Sequence, residues 1–214
     1  MPRGKLITIE GIDGAGKTTL ASALLASLQT RGLRARLLRE PGGVRAAERI
    51  RDLVKDPGLP IGARAEALMY AAARAQLVEE GIEPLLTEGV IVLLDRFVDS
   101  SLAYQGAGRR LGTEPVRAIN EFATGGLTPD LTLLLTIDPA VGRRRSHGRE
   151  GTPDRLEREE DDFFVRIAAA YADLASSAPD RFVTIDSAQP PANVLDAAQA
   201  AIDRALALPA SQSG

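Results

Sequence analysis

The residues best placed to do chemistry lie near the start of the chain, in Gly11-Ile12-Asp13-Gly14-Ala15-Gly16-Lys17-Thr18. They fit the pattern glycine, four free positions, then Gly-Lys-Thr. A loop so poor in side chains lets successive backbone N–H groups close around phosphate oxygens. A helix opening at its end adds the positive pole of its dipole. Lys17 then neutralises charge between β- and γ-phosphates, and the Thr18 hydroxyl is placed to ligate Mg²⁺. The plain alternative is a glycine-rich turn. The apolar run Leu6-Ile7-Thr8-Ile9 before it, and Leu20, Leu24 and Leu28 after it, set the loop between strand and helix, the context a phosphate loop needs.

Charge elsewhere narrows the reaction. Transfer of a phosphoryl group between two phosphorylated molecules gathers negative charge, so positioning and neutralisation dominate its catalysis. Arg39 and Arg96 follow apolar runs, Arg51 lies just beyond Arg39, and a second basic set occupies Arg143–Arg155. That second set reads as a flexible segment able to close over the donor and exclude water. A lone arginine is ordinarily a solvated surface charge. Arg96, directly after a buried strand and an aspartate, is the exception, whereas Arg143 and Arg144 stay open between the two readings. Asp95 has two readings as well, a helix cap or partner of Arg96, or a metal contact. Asp13 would repel phosphate from inside the loop unless it turned toward the acceptor, where it would accept a hydroxyl hydrogen bond. Tyr70, Arg74 and Tyr104 on their own read as ordinary helix residues.

The elements that position these groups follow from the pattern of apolar runs. Strands are expected at Leu6–Ile9, Ala35–Leu38, Val90–Leu94, Leu131–Ile137 and Arg181–Ile185. Helices are expected from about Lys17 to Arg31, Ala46 to Val54, Ala63 to Glu80, Pro84 to Glu88, Asp99 to Gln105, Pro115 to Ala123, Glu159 to Ser177 and Ala192 to Leu208. Unbroken apolar strands alternating with helices imply a parallel α/β three-layer sandwich of five strands, with ligands at the strands' carboxyl ends. The phosphate loop, Arg39 and Asp95-Arg96 all fall at those ends. The chain of 214 residues is enough for one domain spanning 1–214, with a lid at about 143–156. A net charge of -3 argues against a general nucleic-acid partner. The lack of cysteine and the single histidine, His147, exclude thiol chemistry and a histidine metal cluster. The basic start is followed by an apolar run that breaks at Glu10, so neither a signal peptide nor a membrane span is expected, and the location reads as cytoplasmic.

Taken together, several stretches resemble the bacterial thymidylate kinases. They are Gly11–Thr19 with Asp13, Arg39-Glu40-Pro41-Gly42-Gly43, Arg74-Ala75-Gln76, Asp95-Arg96-Phe97 and Ser100-Ser101-Leu102-Ala103-Tyr104-Gln105-Gly106. Asp154-Arg155-Leu156-Glu157, Phe163-Phe164 and Tyr171 continue the match, which runs from about Lys5 to Leu206. The phosphate loop is common to many NTPases, whereas the Arg-Glu-Pro-Gly-Gly and Ser-Ser-Leu-Ala-Tyr-Gln-Gly stretches are far more specific. The resemblance implies phosphorylation of dTMP to dTDP by ATP with Mg²⁺, in a homodimer built through alanine-rich helices such as Ala63–Glu80.

Carried over by position, Lys17, Arg96, Arg149 and Asp13 would be catalytic. Gly11 through Thr19 and Arg145 would bind ATP, Arg145 on the adenine side. Tyr70 would stack on thymine, and Arg74, Ser101 and Gln105 would meet its polar edge. Tyr104 would exclude a ribose 2′-hydroxyl, and Asp13 would hold the 3′-hydroxyl. Arg39, Arg51 and Arg96 would surround the acceptor phosphate. Arg149 and Arg155 would be lid arginines, with Thr18 and Asp95 at the metal. Some relatives carry a basic residue inside the phosphate loop. Here Gly14 or Ala15 stands there and the lid is arginine-rich, which implies that the lid supplies charge to the transition state. Phe97, often Tyr in relatives, and Gly151-Thr152-Pro153, where the lid is slightly longer, depart from the pattern. The alternatives are another small nucleoside or nucleoside-monophosphate kinase, or a nucleotide-gated switch. The guanine-reading Asn-Lys-x-Asp stretch of a GTPase switch does not occur, and Ile185-Asp186-Ser187 stands in its region.

Overall fold

In the computed structural model, which describes residues 2–147, 156 and 159–207, strands and helices alternate along the chain. β1 (Leu6–Glu10) leads through the phosphate loop into α1 (Lys17–Thr30), then β2 (Ala35–Arg39), α2 (Arg45–Lys55) and α3 (Ala63–Leu77). A π-helical turn, Val78–Ile82, joins α3 to α4 (Glu83–Thr87) ahead of β3 (Ile91–Asp95). α5 (Val98–Ser101) runs into a second π-helical stretch, Leu102–Gly108, followed by α6 (Thr113–Thr124) and β4 (Leu131–Thr136). α7 (Pro139–His147), α8 (Asp161–Ser177), β5 (Phe182–Asp186) and α9 (Pro191–Ala207) complete the described residues.

The five strands form one parallel sheet in the order β2-β3-β1-β4-β5, as the apolar runs imply. β1 is buried at every position because helices cover both faces. Alternate residues serve opposite layers. Ile7, Ile9 and Leu93 pack with Leu24 of α1, Ile167 of α8 and Ile202 of α9. Leu6, Val92 and Leu94 pack with Leu77, Ile82 and Leu86 on the other side. Each such side chain, fully withdrawn from water, contributes roughly 1.5–3 kcal/mol. Thr8 at the sheet centre is satisfied by Thr132, Oγ1 to Oγ1 at 2.8 Å.

Four strands run one residue past the expected apolar stretch and end on a charged residue, Glu10, Arg39, Asp95 or Asp186. Parallel pairing carries them on, as in the register Arg39↔Asp95 and Ile9↔Asp95. Charge is thereby gathered along the carboxyl edge of the sheet. The helix expected to reach Glu80 instead turns π-helical after Leu77, next to Gly81 and Pro84. Proline has no N–H to return to the preceding turn, which accounts for a change of helix there.

A larger correction concerns the basic segment. Arg143 to His147 were expected in a flexible stretch, yet they form the second half of α7. Asp138 caps that helix, its Oδ1 accepting from Ala140 N at 2.9 Å and Val141 N at 3.1 Å, with Pro139 in the first turn. Arg143 then pairs with Asp161 of α8 and lies over the Phe164 ring at 5.5 Å. The expected lid from about 143 to 156 thus starts within a helix, and its residues 148–155 lie outside the described residues.

Candidate active site

The phosphate loop leaves β1 with glycines in conformations that side chains rarely adopt. Gly14 has φ +79°, and a Cβ built on it would lie 1.9 Å from the carbonyl oxygen of Gly142 in α7. No basic side chain fits at that position. Ala15 and Ile12 are buried, so only their backbone is available to phosphate. Gly16, at φ +91°, turns the chain into α1, whose first N–H groups have no partner within the helix. Lys17 is buried and folds back over the loop, its Nζ donating to Ile12 O at 2.8 Å. Burial, with Arg96 nearby, lowers its ammonium to about 8, against the opposing pull of Asp13, Asp95 and Glu10.

Thr18 Oγ1 donates to Asp95 Oδ2 at 2.7 Å. Asp95 therefore neither pairs with Arg96 nor caps the next helix, since α5 begins without a side-chain cap. A hydroxyl and a carboxylate beside a phosphate loop are hard oxygen donors of the kind Mg²⁺ takes while keeping phosphate and water ligands. Among the described residues no cluster of three carboxylates or histidines could hold a metal without such help.

Arg96 occupies the centre of the site. Its backbone is left-handed, φ +73°, a conformation that costs about 1–3 kcal/mol in a non-glycine residue and marks places where geometry is imposed from outside. The constraint is visible. Arg96 N donates to Ile9 O at 3.1 Å, and the next amide, Phe97 N, donates to Glu10 Oε1 at 2.7 Å. Glu10 is wholly buried, and its Oε2 accepts from Ser100 Oγ at 2.6 Å and Tyr171 OH at 2.8 Å. Burial and the neighbouring Asp99 push its carboxyl up, with Ser100 and Arg96 opposing. The Arg96 guanidinium reaches Asp13 Oδ1 at 2.5 Å and Gly11 O at 3.2 Å, and lies over the Tyr104 ring at 4.9 Å. Tyr104 OH donates to Asp13 Oδ2 at 2.9 Å. Burial alone would raise the Asp13 carboxyl, but Arg96, Lys17 and the Tyr104 hydroxyl outweigh it and hold the group at about 2.

A cavity of about 640 Å³ opens from this point, large enough for a nucleotide. Its wall includes Lys17 and Thr18 of the phosphate loop together with Asp13, Tyr70, Arg74, Arg96, Ser101, Tyr104 and Gln105. Arg39 and Arg51 line it too. Arg39 is half exposed and pairs with Glu48 at 3.2 Å, and Arg51 Nη1 donates to Pro41 O at 2.7 Å. The Glu40–Pro41 peptide beside them is cis. Arg74 is wholly buried with every guanidinium nitrogen engaged. Nε donates to Glu40 Oε2 at 2.7 Å, Nη2 to Phe97 O at 3.0 Å, and Nη1 to Ser101 Oγ at 3.0 Å and to Asn120 Oδ1. Burial pushes Glu40 up to about 7, even with Arg74 against it.

Most of the expected site residues thus converge on one cavity, whereas Gly11, Ile12 and Ala15 of the loop do not line it. Thr19 is exposed on α1 and does not line the cavity. Arg145 lies apart on α7, donating to Ser187 O at 3.3 Å. Arg149 and Arg155 lie outside the described residues. Glu10, Glu40, Glu66 and Asn120 went unread. Glu10 looked only like the end of an apolar run, although a carboxylate between a buried strand and a phosphate loop was itself the available signal.

Comparison with known proteins points to one family. The family model described as thymidylate kinase matches residues 9–198. A thymidylate kinase of Lactobacillus helveticus is 48% identical over 208 residues, covering 95% of this chain and 98% of its own. One from Deinococcus radiodurans is 47% identical over 190 residues, 89% of this chain and 92% of its own. One from a Thermoanaerobacter species is 48% identical over 187 residues, 87% and 91%.

Proposed function

The chain belongs to the thymidylate kinase family, and from that premise we infer that it transfers the γ-phosphoryl group of ATP to dTMP, giving dTDP and ADP for dTTP synthesis. The observation that supports this reading most directly is that one cavity is lined both by the phosphate loop and by Tyr70, Arg74, Ser101 and Gln105, with Arg96 in its wall. Two nucleotides seated along it would bring donor and acceptor phosphates together beside Arg96, whose backbone N–H is tied to Ile9 at the strand end.

In this reading Lys17, the loop amides and the α1 N-terminus hold the ATP phosphates, and Arg145 lies toward the adenine. Mg²⁺, carried with ATP, would take oxygen ligands from Thr18 and Asp95. When bound it screens the triphosphate charge and orients the γ-phosphate. Arg96, with Arg39 and Arg51, receives the acceptor phosphate and neutralises charge as it develops. Asp13 stays ionised and accepts the sugar 3′-hydroxyl. Tyr104 is pinned by Asp13, so its ring meets the sugar where a 2′-hydroxyl would sit. Tyr70 supplies an aromatic face to the base. Arg149 and Arg155 belong to a lid after α7 that adds positive charge on closure. The chain acts as one domain, in the cytoplasm, without nucleic acid or membrane. Among the described residues no helix is long and apolar enough to cross a membrane.

A homodimer completes the reading. α3 packs against both α2 and α6, and this layer exposes Leu53, Leu68 and Phe122, the last at 91%.

ADP release, coupled to an optical readout, tests the assignment with dTMP, dUMP, UMP and thymidine as acceptors. Turnover is expected with dTMP, less with dUMP, and little with UMP or thymidine. Equal turnover of dTMP with CMP or AMP would overturn it.

A further inference from the structure

Behind the base end of the cavity lies a carboxylate with no part in the chemistry described so far. Glu66 of α3 is wholly buried. Its Oε1 accepts from Gln105 Nε2 at 2.8 Å, and its Oε2 lies 3.2 Å from Arg109 Nη2 and accepts from Arg109 Nε at 3.2 Å. Arg109 itself is held by Glu159 at 2.5 Å and by the Phe163 ring at 5.1 Å, so the pair is clamped from both sides. Gln105 lines the cavity although it is 2% exposed.

A glutamine amide has a donor end and an acceptor end of nearly equal size, and a flip exchanges them. A carboxylate only accepts. Turning Gln105 over would set its Oε1 against Glu66 Oε1 and leave both without a proton between them. Glu66 therefore takes the donor end, and the acceptor end, Oε1, remains for the cavity. The neighbouring Ser101 hydroxyl accepts from Arg74 Nη1, which leaves its own proton to donate. The recess thus presents a donor beside an acceptor. That pair matches a ring carbonyl next to a ring N–H, the imide edge of thymine or uracil. With Ser101 facing the ring carbonyl and Gln105 Oε1 facing the ring N–H, it opposes the amino group and bare ring nitrogen of cytosine. The reverse placement would suit cytosine instead, so the dTMP-to-dCMP preference tests the placement as well.

We propose that Glu66 is a positioning residue that fixes the amide orientation of Gln105, and so makes the acceptor site selective for imide-type pyrimidines over amino-pyrimidines. The proposal rests on the inferred dTMP kinase reaction and goes beyond it by naming what sets base polarity. A hydrogen-bonding site rejects a mismatched partner strongly because buried polar groups are left unpaired.

The test measures kcat and KM for dTMP and dCMP. The wild type is expected to favour dTMP by at least about 1000-fold. In Glu66→Gln the new amide accepts from Arg109 and donates to Gln105, which turns its Nε2 toward the base. The dTMP-to-dCMP ratio of kcat/KM should fall at least about 10-fold, chiefly through a higher KM for dTMP. Glu66→Asp, which keeps the carboxylate, should retain the dTMP preference even if KM rises. Gln105→Leu should also lower the ratio, and adding Glu66→Gln to it should change nothing further. An unchanged ratio in a folded Glu66→Gln, with Gln105→Leu lowered, overturns the proposal alone. An unchanged ratio in Gln105→Leu overturns it as well, by removing the base from that residue. A wild type that never phosphorylates dTMP overturns the reaction itself. If Glu66→Gln does not fold, the wild-type Gln105 side-chain NH₂ signals decide. When dTMP binds they should stay slow to exchange with solvent, as protons held by Glu66, and fast exchange in the complex would overturn the proposal.

Discussion

Lys17 and Asp13 both lie below their ordinary values, with Arg96 lowering each, and each has a pH signature. Burial lowers the Lys17 ammonium from 10.5 to about 8. Bound triphosphate favours the charged form and raises it again, so ATP binding must take up a proton wherever free Lys17 is partly neutral. Proton uptake is expected between about pH 8 and pH 10 and should vanish below about pH 7. Calorimetry in buffers of different ionisation enthalpy measures it, and buffer-independent heats near pH 8.5 would contradict the assignment (a value taken about half a unit above the lowered ammonium). Asp13 is lowered as well, which for a carboxyl favours the charged form. Its carboxyl lies below the ordinary 3.8, at about 2, so its stabilising contribution is present above the ordinary range and lost only as pH falls through about 2. Arg96→Ala removes the main counter-charge, and the Asp13 carboxyl should rise. Transfer should fall by at least about 100-fold with the fold retained, read by kcat/KM beside circular dichroism. Lys17→Ala should likewise abolish transfer in a folded protein.

At the scale of elements, the phosphate loop and α7 meet backbone to backbone. A Cβ at Gly142 would lie 2.8 Å from Asp13 O and 3.0 Å from Ile12 Cδ1. Gly142→Ala therefore pushes α7 off the loop. The expected cost is about 1–3 kcal/mol of stability, with a raised KM for ATP, measured by thermal denaturation and initial rates. The same contact explains why this loop carries no basic residue at position 14. Arg149→Ala should lower kcat with little change in KM for dTMP, and unchanged turnover would remove it from the lid role.

For the whole molecule, the layer of α2, α3 and α6 carries apolar side chains with no described cover. Phe122→Glu combined with Leu68→Asp should shift a dimer to monomer in analytical ultracentrifugation, because two charges cannot be desolvated in an apolar contact. A dimer unmoved by both changes would place the interface elsewhere. At this scale only the elements facing each other across the cavity make one site. Lys17 of α1, Tyr70 of α3 and Gln105 of the second π-helical stretch are far apart in sequence, and the strand order brings their helices to one sheet edge.

What the sequence determined by itself was whatever depends on local pattern. Apolar runs specify buried parallel strands, and the glycine and lysine spacing at 11–18 specifies a phosphate loop, because both follow from neighbours a few residues apart. Arg96 was legible for the same reason, as a charge at a strand's end. Glu10 and Glu66 were not. A buried carboxylate becomes meaningful only through partners such as Tyr171 or Gln105, which lie 161 and 39 residues away and meet it only after folding. The pairing of Thr18 with Asp95, rather than Asp95 with Arg96, was likewise decided by packing, since adjacent residues at a strand end point different ways. The capped start of α7 was locally legible in Asp138-Pro139, but its anchoring by Asp161 and Phe164 was not. Charge and hydrogen-bond polarity are settled by what surrounds a side chain in three dimensions, and only the tertiary structure supplies that.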